Sequence, residues 1–140
     1  MTTQQTTTAV RGRQRGWQRA AWAVAGATAA AIVPWVVAAI AGADLEVTSV
    51  GVTMDVGPAL VLAGALTMSL AGWGLLTWLL RRRGGDGRRV WTGVALTVLV
   101  LSLGGPLGAE ADADVKVYLV LMHLAVGAVL IPGLRAAVRE

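Results

Sequence analysis

The sequence predicts an all-α membrane protein: an antiparallel four-helix transmembrane bundle with both termini cytoplasmic. Three observations predict it. Hydrophobic residues make up 56% of the 140-residue chain and charged residues only 14%, with a mean hydropathy of +0.66, whereas a soluble domain carries about 25% charged residues. The apolar residues gather into four runs of 18 to 23 residues, enough for a helix rising about 1.5 Å per residue to cross a hydrocarbon core about 30 Å thick. The connections between the runs alternate in charge.

Residues 1–19 are Thr/Gln-rich, then Arg-rich at Arg11, Arg13, Arg15 and Arg19. They lack an apolar pattern and predict a mobile, disordered basic tail preceding a transmembrane domain over 20–137. The first helix is expected at about 20–42, ended by Asp44 and Glu46. Its Arg-rich start and Ala41-Gly42-Ala43 also resemble a signal peptide with its cleavage site. The 23-residue run exceeds the roughly 7–15 residues of secretory apolar cores and favours a retained span. Residues 45–55 alternate weakly and are rich in β-branched side chains, consistent with a short extracellular hairpin or an irregular loop. Gly57-Pro58 opens a second helix at about 58–80, since proline suits a first helical turn. An Arg-rich loop at 81–89 leads to a third helix at about 90–107, with Gly104, Gly105 and Pro106 at its far end. A short acidic loop precedes a fourth helix at about 115–134.

Segments 1–19, 81–89 and 135–140 hold all 11 Arg against Asp86 and Glu140. Segments 43–57 and 108–116 hold Asp44, Glu46, Asp55, Glu110, Asp112 and Asp114 against Lys116. The positive-inside rule places the Arg-bearing side in the cytoplasm, so four spans of a plasma-membrane protein bring both termini inside. Trp17, Trp22, Trp78 and Trp91 fall near the cytoplasmic ends of their runs, at the headgroup level where indole is favoured. Trp35 lies towards the outer side and Trp73 deeper. Close helix packing in lipid uses small residues, and candidate seams are Gly26/Ala30, Gly64/Met68/Gly72, Gly93/Thr97 and His123/Gly127. Pro34 and Pro132 are candidate kinks.

Composition excludes several chemistries. There is no Cys and a single His, so disulfides, thiolate metal sites, cysteine nucleophiles and a multi-histidine site within one copy are all ruled out. No cofactor and no metal are expected. Small four-span multidrug exporters use a carboxylate inside the first helix; none of these four runs contains Asp or Glu. The Arg loop has no aromatic interleaving apart from Trp91, so anionic lipid, not nucleic acid, is its expected contact.

His123 is the sharpest feature. It lies eight residues past Val115, about 12 Å into the membrane from the outer end, where ionisable side chains are rare and face a bundle interior or a wet cavity. Lys116, His123 and Gly127 share one helical face. One reading gives His123 a packing hydrogen bond to a neighbouring helix; the other gives it a ligand, proton or catalytic role. Thr67, Thr97 and Ser102 are the polar residues that inward-turned faces would bring to it. A Ser102–His123 dyad lacks an orienting acid and a G-x-S-x-G setting, and hydroxyls in membrane helices commonly bond back to their own carbonyls. Asp55 is a candidate cap for the second helix, or part of an outward acidic mouth with Asp44, Glu46, Asp112 and Asp114.

Gly72-Trp73-Gly74 before an Arg cluster, Trp91 opening the third helix, Ser102 with Pro106, and Leu121-Met122-His123-Leu124 followed by Ile131-Pro132 form a pattern across roughly 20–135. It resembles an uncharacterised family of small four-span membrane proteins from GC-rich Gram-positive bacteria, a domain of unknown function. The resemblance implies a four-helix plasma-membrane protein and no particular activity; its Met-His-Leu element falls on His123.

Three functions follow as expectations. The first is a packing or accessory protein, homo-oligomeric or partnered with another membrane protein and with lipids, holding a small polar cavity near His123. The second is a channel or transporter component with a wet path along Thr67, Thr97, Ser102 and His123. The third is an intramembrane enzyme acting on a lipid or isoprenoid, with His123 as general acid/base.

Overall fold

The computed structural model describes residues 2–138, and side chains from residue 14 onward apart from that of Ser49. The chain is mostly helical. Helix α1 spans Thr2–Ile40; strands β1 (Glu46–Ser49) and β2 (Val52–Asp55) follow. Then come α2 (Pro58–Arg83), α3 (Asp86–Ser102), α4 (Gly104–Gly108) and α5 (Ala113–Ala137). Among the described residues, four helical segments are long and apolar enough to cross a membrane: Gln14–Ile40, Pro58–Arg83, Asp86–Gly108 and Ala113–Ala137.

The differences from expectation have local causes. The stretch foreseen as a mobile tail over 1–19 continues α1, which is helical from Thr2. The described part of that extension is packed: the Trp17 and Trp73 rings lie 5.6 Å apart, and a Cβ on Gly16 would sit 3.2 Å from the Ala137 carbonyl oxygen. The side chains of Arg11 and Arg13, and all of Arg139 and Glu140, lie outside the described residues. The third run breaks near Leu103 into α3 and α4, where Gly104-Gly105-Pro106 weakens helical continuity. Helices α1 and α5 continue through Pro34 and Pro132.

Residues 45–55 form the hairpin of the two alternatives, with Glu46 opposite Asp55 and Ser49 opposite Val52. Val50 and Gly51 both have positive φ, 51° and 77°, the backbone that a two-residue hairpin turn with native strand twist requires. The hairpin is fastened twice. Thr48 and Glu110 exchange backbone hydrogen bonds of 3.0 Å each, and the Trp35 indole N–H donates to the Val56 carbonyl at 2.8 Å.

Along α1, Ala20, Ala23, Val24, Ala27, Ala31 and Ala38 form a buried stripe at helical spacing. Small side chains let α5 approach closely: a Cβ on Gly133 would lie 2.7 Å from Ala23 Cβ, and one on Gly26 3.4 Å from Val129. Gly16, Ala23 and Gly26 thus meet Ala137, Gly133 and Val129 in reverse order. Gly84, with φ +56°, ends α2 and donates its N–H to the Leu80 carbonyl. A Cβ on Gly87 would strike the Leu79 carbonyl oxygen at 2.6 Å, so the α2–α3 turn depends on backbone touching backbone. Of the expected seams, Gly26, Gly72 and Gly127 do sit against a neighbouring helix, whereas Gly64 and Gly93 face open space.

The interior has two apolar clusters. One joins Ala20, Ala23, Val24 and Ala27 to Leu76, Leu79, Trp91, Leu130, Leu134 and Ala137. The other, beneath the hairpin, joins Ala38, Leu45, Val56, Val115, Leu119 and Met122. Trp91, expected at the headgroup level, is 1% exposed in the first cluster, because its indole N–H finds a carbonyl inside. Trp17, Trp22 and Trp78 are exposed, and the Arg82 guanidinium lies 5.8 Å from the Trp78 ring centre, within cation–π range.

Candidate functional site

Between the two clusters, α2, α3 and α5 leave a cavity of about 530 Å³. Leu60, Gly64, Met68 and Gly72 of α2 form one wall, Val94, Val98 and Ser102 of α3 another, and Met122, His123 and Gly127 of α5 the floor. It arises where side chains run out. Trp91 holds α3 to α2 at one end, and Leu99 fills the space beside Gly127, where a Cβ would approach Leu99 Cδ2 at 2.6 Å. Where Gly64 offers no side chain, nothing spans the gap. Trp91 and Leu130 of the first cluster bound the cavity on one side, and Val56, Leu119 and Met122 of the second on the other. The wall residues Leu60, Met68 and Val98 are 50%, 66% and 50% exposed, so the cavity is open along its α2 and α3 walls.

Among the described residues, apart from the Trp91 indole, only Ser102 and His123 place polar side-chain atoms on this lining. His123 is half-buried, and its Nδ1 lies 2.7 Å from the Leu119 carbonyl oxygen one turn back. A carbonyl only accepts, so Nδ1 is the donor in this contact, and the uncharged ring that makes it keeps Nε2 as a lone-pair acceptor. The Ser102 hydroxyl donates to the Leu99 carbonyl at 2.7 Å. Thus the two expected cavity residues do line one cavity, but each is bonded to its own helix and not to the other. The Trp91 N–H is likewise engaged, at 2.8 Å from the Gly72 oxygen.

The other candidates lie elsewhere. Thr67 and Thr97 are exposed and do not line the cavity. Asp55 is exposed at the end of β2; the α2 N-cap is Gly57, with no side-chain cap hydrogen bond, so the expected Asp55 cap is absent. Asp44, Glu46, Glu110 and Asp112 line an open basin of about 820 Å³ with Lys116, Thr48 and Thr53; Asp55 and Asp114 are not part of it. The Asp114 carboxylate instead accepts from the Val115 N–H at 2.9 Å. Among the described residues no group of three or more His, Asp or Glu side chains is arranged to hold a metal ion.

The residues missed from sequence were Trp91 and the apolar walls. Leu60, Val94 and Val98 read as ordinary lipid-facing sequence, and Gly64, Met68 and Gly72 read as a packing seam. Ser69 was also missed. It is fully buried on α2, and its hydroxyl has no partner among the described residues, but it lies outside the cavity lining.

A family model described as a family of unknown function (DUF6069) matches residues 11–140, and the chain belongs to that family. No curated protein and no solved structure matches the chain.

Proposed function

We propose that this DUF6069 member is a plasma-membrane protein of four antiparallel spans, both termini cytoplasmic, that takes an apolar membrane molecule sideways into the α2–α3–α5 cavity. It works by binding, alone, as a homo-oligomer or as an accessory subunit, and not by making or breaking bonds. The carrying observation is the cavity itself: apolar walls, apolar clusters at two ends and half-exposed wall residues on α2 and α3. Its volume of about 530 Å³ falls in the roughly 300–1,000 Å³ range of small-molecule pockets. In a bilayer, a sideways opening meets acyl chains and not water.

Orientation rests on charge. The Arg-rich α2–α3 turn and the chain ends form the basic side, and the hairpin and α4–α5 connection the acidic side, which the positive-inside rule turns outward. The plasma membrane, and a source among GC-rich Gram-positive bacteria, accord with the family resemblance. At the inner face, Arg81, Arg82, Arg88 and Arg89 contact anionic headgroups, each contributing about 1 kcal/mol.

A channel is less well supported, because the two apolar clusters interrupt a water path and Thr67 and Thr97 point elsewhere. Catalysis is less well supported because Ser102 and His123 are not paired. The test uses Gly64, where an added side chain meets nothing within 4 Å. Full-length protein purified in mild detergent is expected to retain a lipid detectable by mass spectrometry, and Gly64→Phe, which fills the opening, to lose most of it. Equal retention by both proteins would overturn the binding reading.

A further inference from the structure

We propose that the cavity selects a neutral lipid carrying a free hydroxyl, such as a long-chain or isoprenoid alcohol, whose O–H donates to His123 Nε2. This rests on reading the cavity as a lipid site. It follows from a count of hydrogen-bond capacity on the lining. The three polar side chains there direct their donors into the protein: Trp91 N–H to the Gly72 carbonyl, Ser102 O–H to the Leu99 carbonyl and His123 Nδ1–H to the Leu119 carbonyl. What remains is acceptors: His123 Nε2, which has no partner among the described residues, and the Ser102 oxygen lone pairs.

A lining with acceptors only discriminates by chemistry. A quinone or a fatty ester brings further acceptors and leaves Nε2 unpaired in an apolar setting, which is unfavourable. A carboxylate brings a charge, and among the described residues no cationic side chain lines the cavity to meet it. A hydroxyl brings the missing donor, and its own oxygen adds only one neutral acceptor. Backbone donors do not compete: the Val56 N–H donates to the Leu45 carbonyl, those of Leu60 and Val61 to the Gly57 carbonyl, and the other lining residues lie within α1, α2, α3 and α5 beyond the first turn, where N–H groups are spent internally.

The experiment compares two photoactivatable probes of equal chain length in vesicles containing the full-length protein: a diazirine-bearing long-chain alcohol and its methyl ether. They share shape and apolarity and differ in the O–H donor. The alcohol is expected to label peptides of α2, α3 and α5 roughly two- to tenfold more than the ether, the range of one net hydrogen bond. His123→Leu should reduce alcohol labelling to the ether's level, whereas His123→Gln, which keeps an acceptor, should preserve part of the preference. Equal labelling of the cavity peptides in the unmodified protein would overturn the hydroxyl preference and leave the lipid site standing. Absence of labelling on those peptides by either probe would remove both. The comparison within the unmodified protein decides the matter even if His123→Leu fails to fold.

Discussion

The Trp91 indole N–H donates to the Gly72 carbonyl oxygen at 2.8 Å, so the first turns of α3 are fastened to the middle of α2 by a side chain that is itself buried. Gly72 has no side chain to hold the indole away, and its carbonyl can still accept from its own helix, having two lone pairs. Together with the backbone contact of Gly87 on Leu79, this bond holds α2 and α3 together on the side of the cavity that Trp91 bounds.

Replacing Trp91 therefore separates two effects. Trp91→Phe keeps an aromatic ring but loses the hydrogen bond, and is expected to reduce stability by about 1 kcal/mol. Trp91→Ala also empties a buried site and should reduce it by about 3–5 kcal/mol. Thermal unfolding in detergent, followed by circular dichroism, measures both. Equal midpoints for Trp91→Phe and the unmodified protein would show that the bond contributes nothing to holding the helices.

A glycine series tests the helix contacts. At Gly133 a Cβ would approach Ala23 Cβ at 2.7 Å, and both atoms ride on helix backbones. Gly133→Ala should therefore destabilise by roughly 1–3 kcal/mol, the usual range for overpacking. At Gly127 the obstacle is the far end of Leu99, which can change rotamer, so Gly127→Ala should be milder. At Gly93, where nothing lies within 4 Å, Gly93→Ala should be neutral or stabilising by up to about 1 kcal/mol through helix propensity. A midpoint for Gly133→Ala no lower than that for Gly93→Ala would contradict the α1–α5 packing.

The order of spans was legible in the sequence because apolar length and charge alternation are local properties, recorded residue by residue. The start of α1 was not. Nothing in Thr/Gln- and Arg-rich sequence announces that Trp17 will meet Trp73, a contact 56 positions away. His123 and Ser102, singled out by depth alone, fall on the cavity lining. Thr67 and Thr97 failed because depth says nothing of rotation: Thr97 precedes the cavity residue Val98 by one position, which turns it about 100° around the helix. The cavity was illegible because it is made by what α2 and α3 leave unfilled, and apolar residues lining a void read the same as apolar residues facing lipid. Trp91 was misplaced by a real preference of indole for interfaces, overruled by a carbonyl partner one helix away.

The hairpin turn offers a stabilising change. Val50 is fully exposed and sits at φ 51°, a left-handed backbone that β-branched residues adopt unfavourably, at about 1–2 kcal/mol. Asparagine is favoured before glycine in such turns. Val50→Asn is expected to stabilise the hairpin by about 1 kcal/mol, seen as several-fold slower hydrogen exchange at the β1–β2 amides. Unchanged exchange would mean the strain is relaxed in solution.

The absence of Cys makes orientation directly measurable with introduced cysteines. Val50 lies at the hairpin tip with its side chain wholly exposed, and Gly85 lies in the Arg-rich turn with nothing within 4 Å of an added Cβ. Neither substitution disturbs packing, so labelling reports location alone. With both termini inside, Val50→Cys should react with a membrane-impermeant maleimide on intact cells, and Gly85→Cys only after permeabilisation. The two sites are separated by one helix, α2, so they must behave oppositely if α2 crosses the bilayer. Reaction of both on intact cells would mean that α2 does not cross. Reaction of Gly85→Cys alone would mean that it crosses with the arginines outside, against the charge gradient that favours retaining them in the cytoplasm.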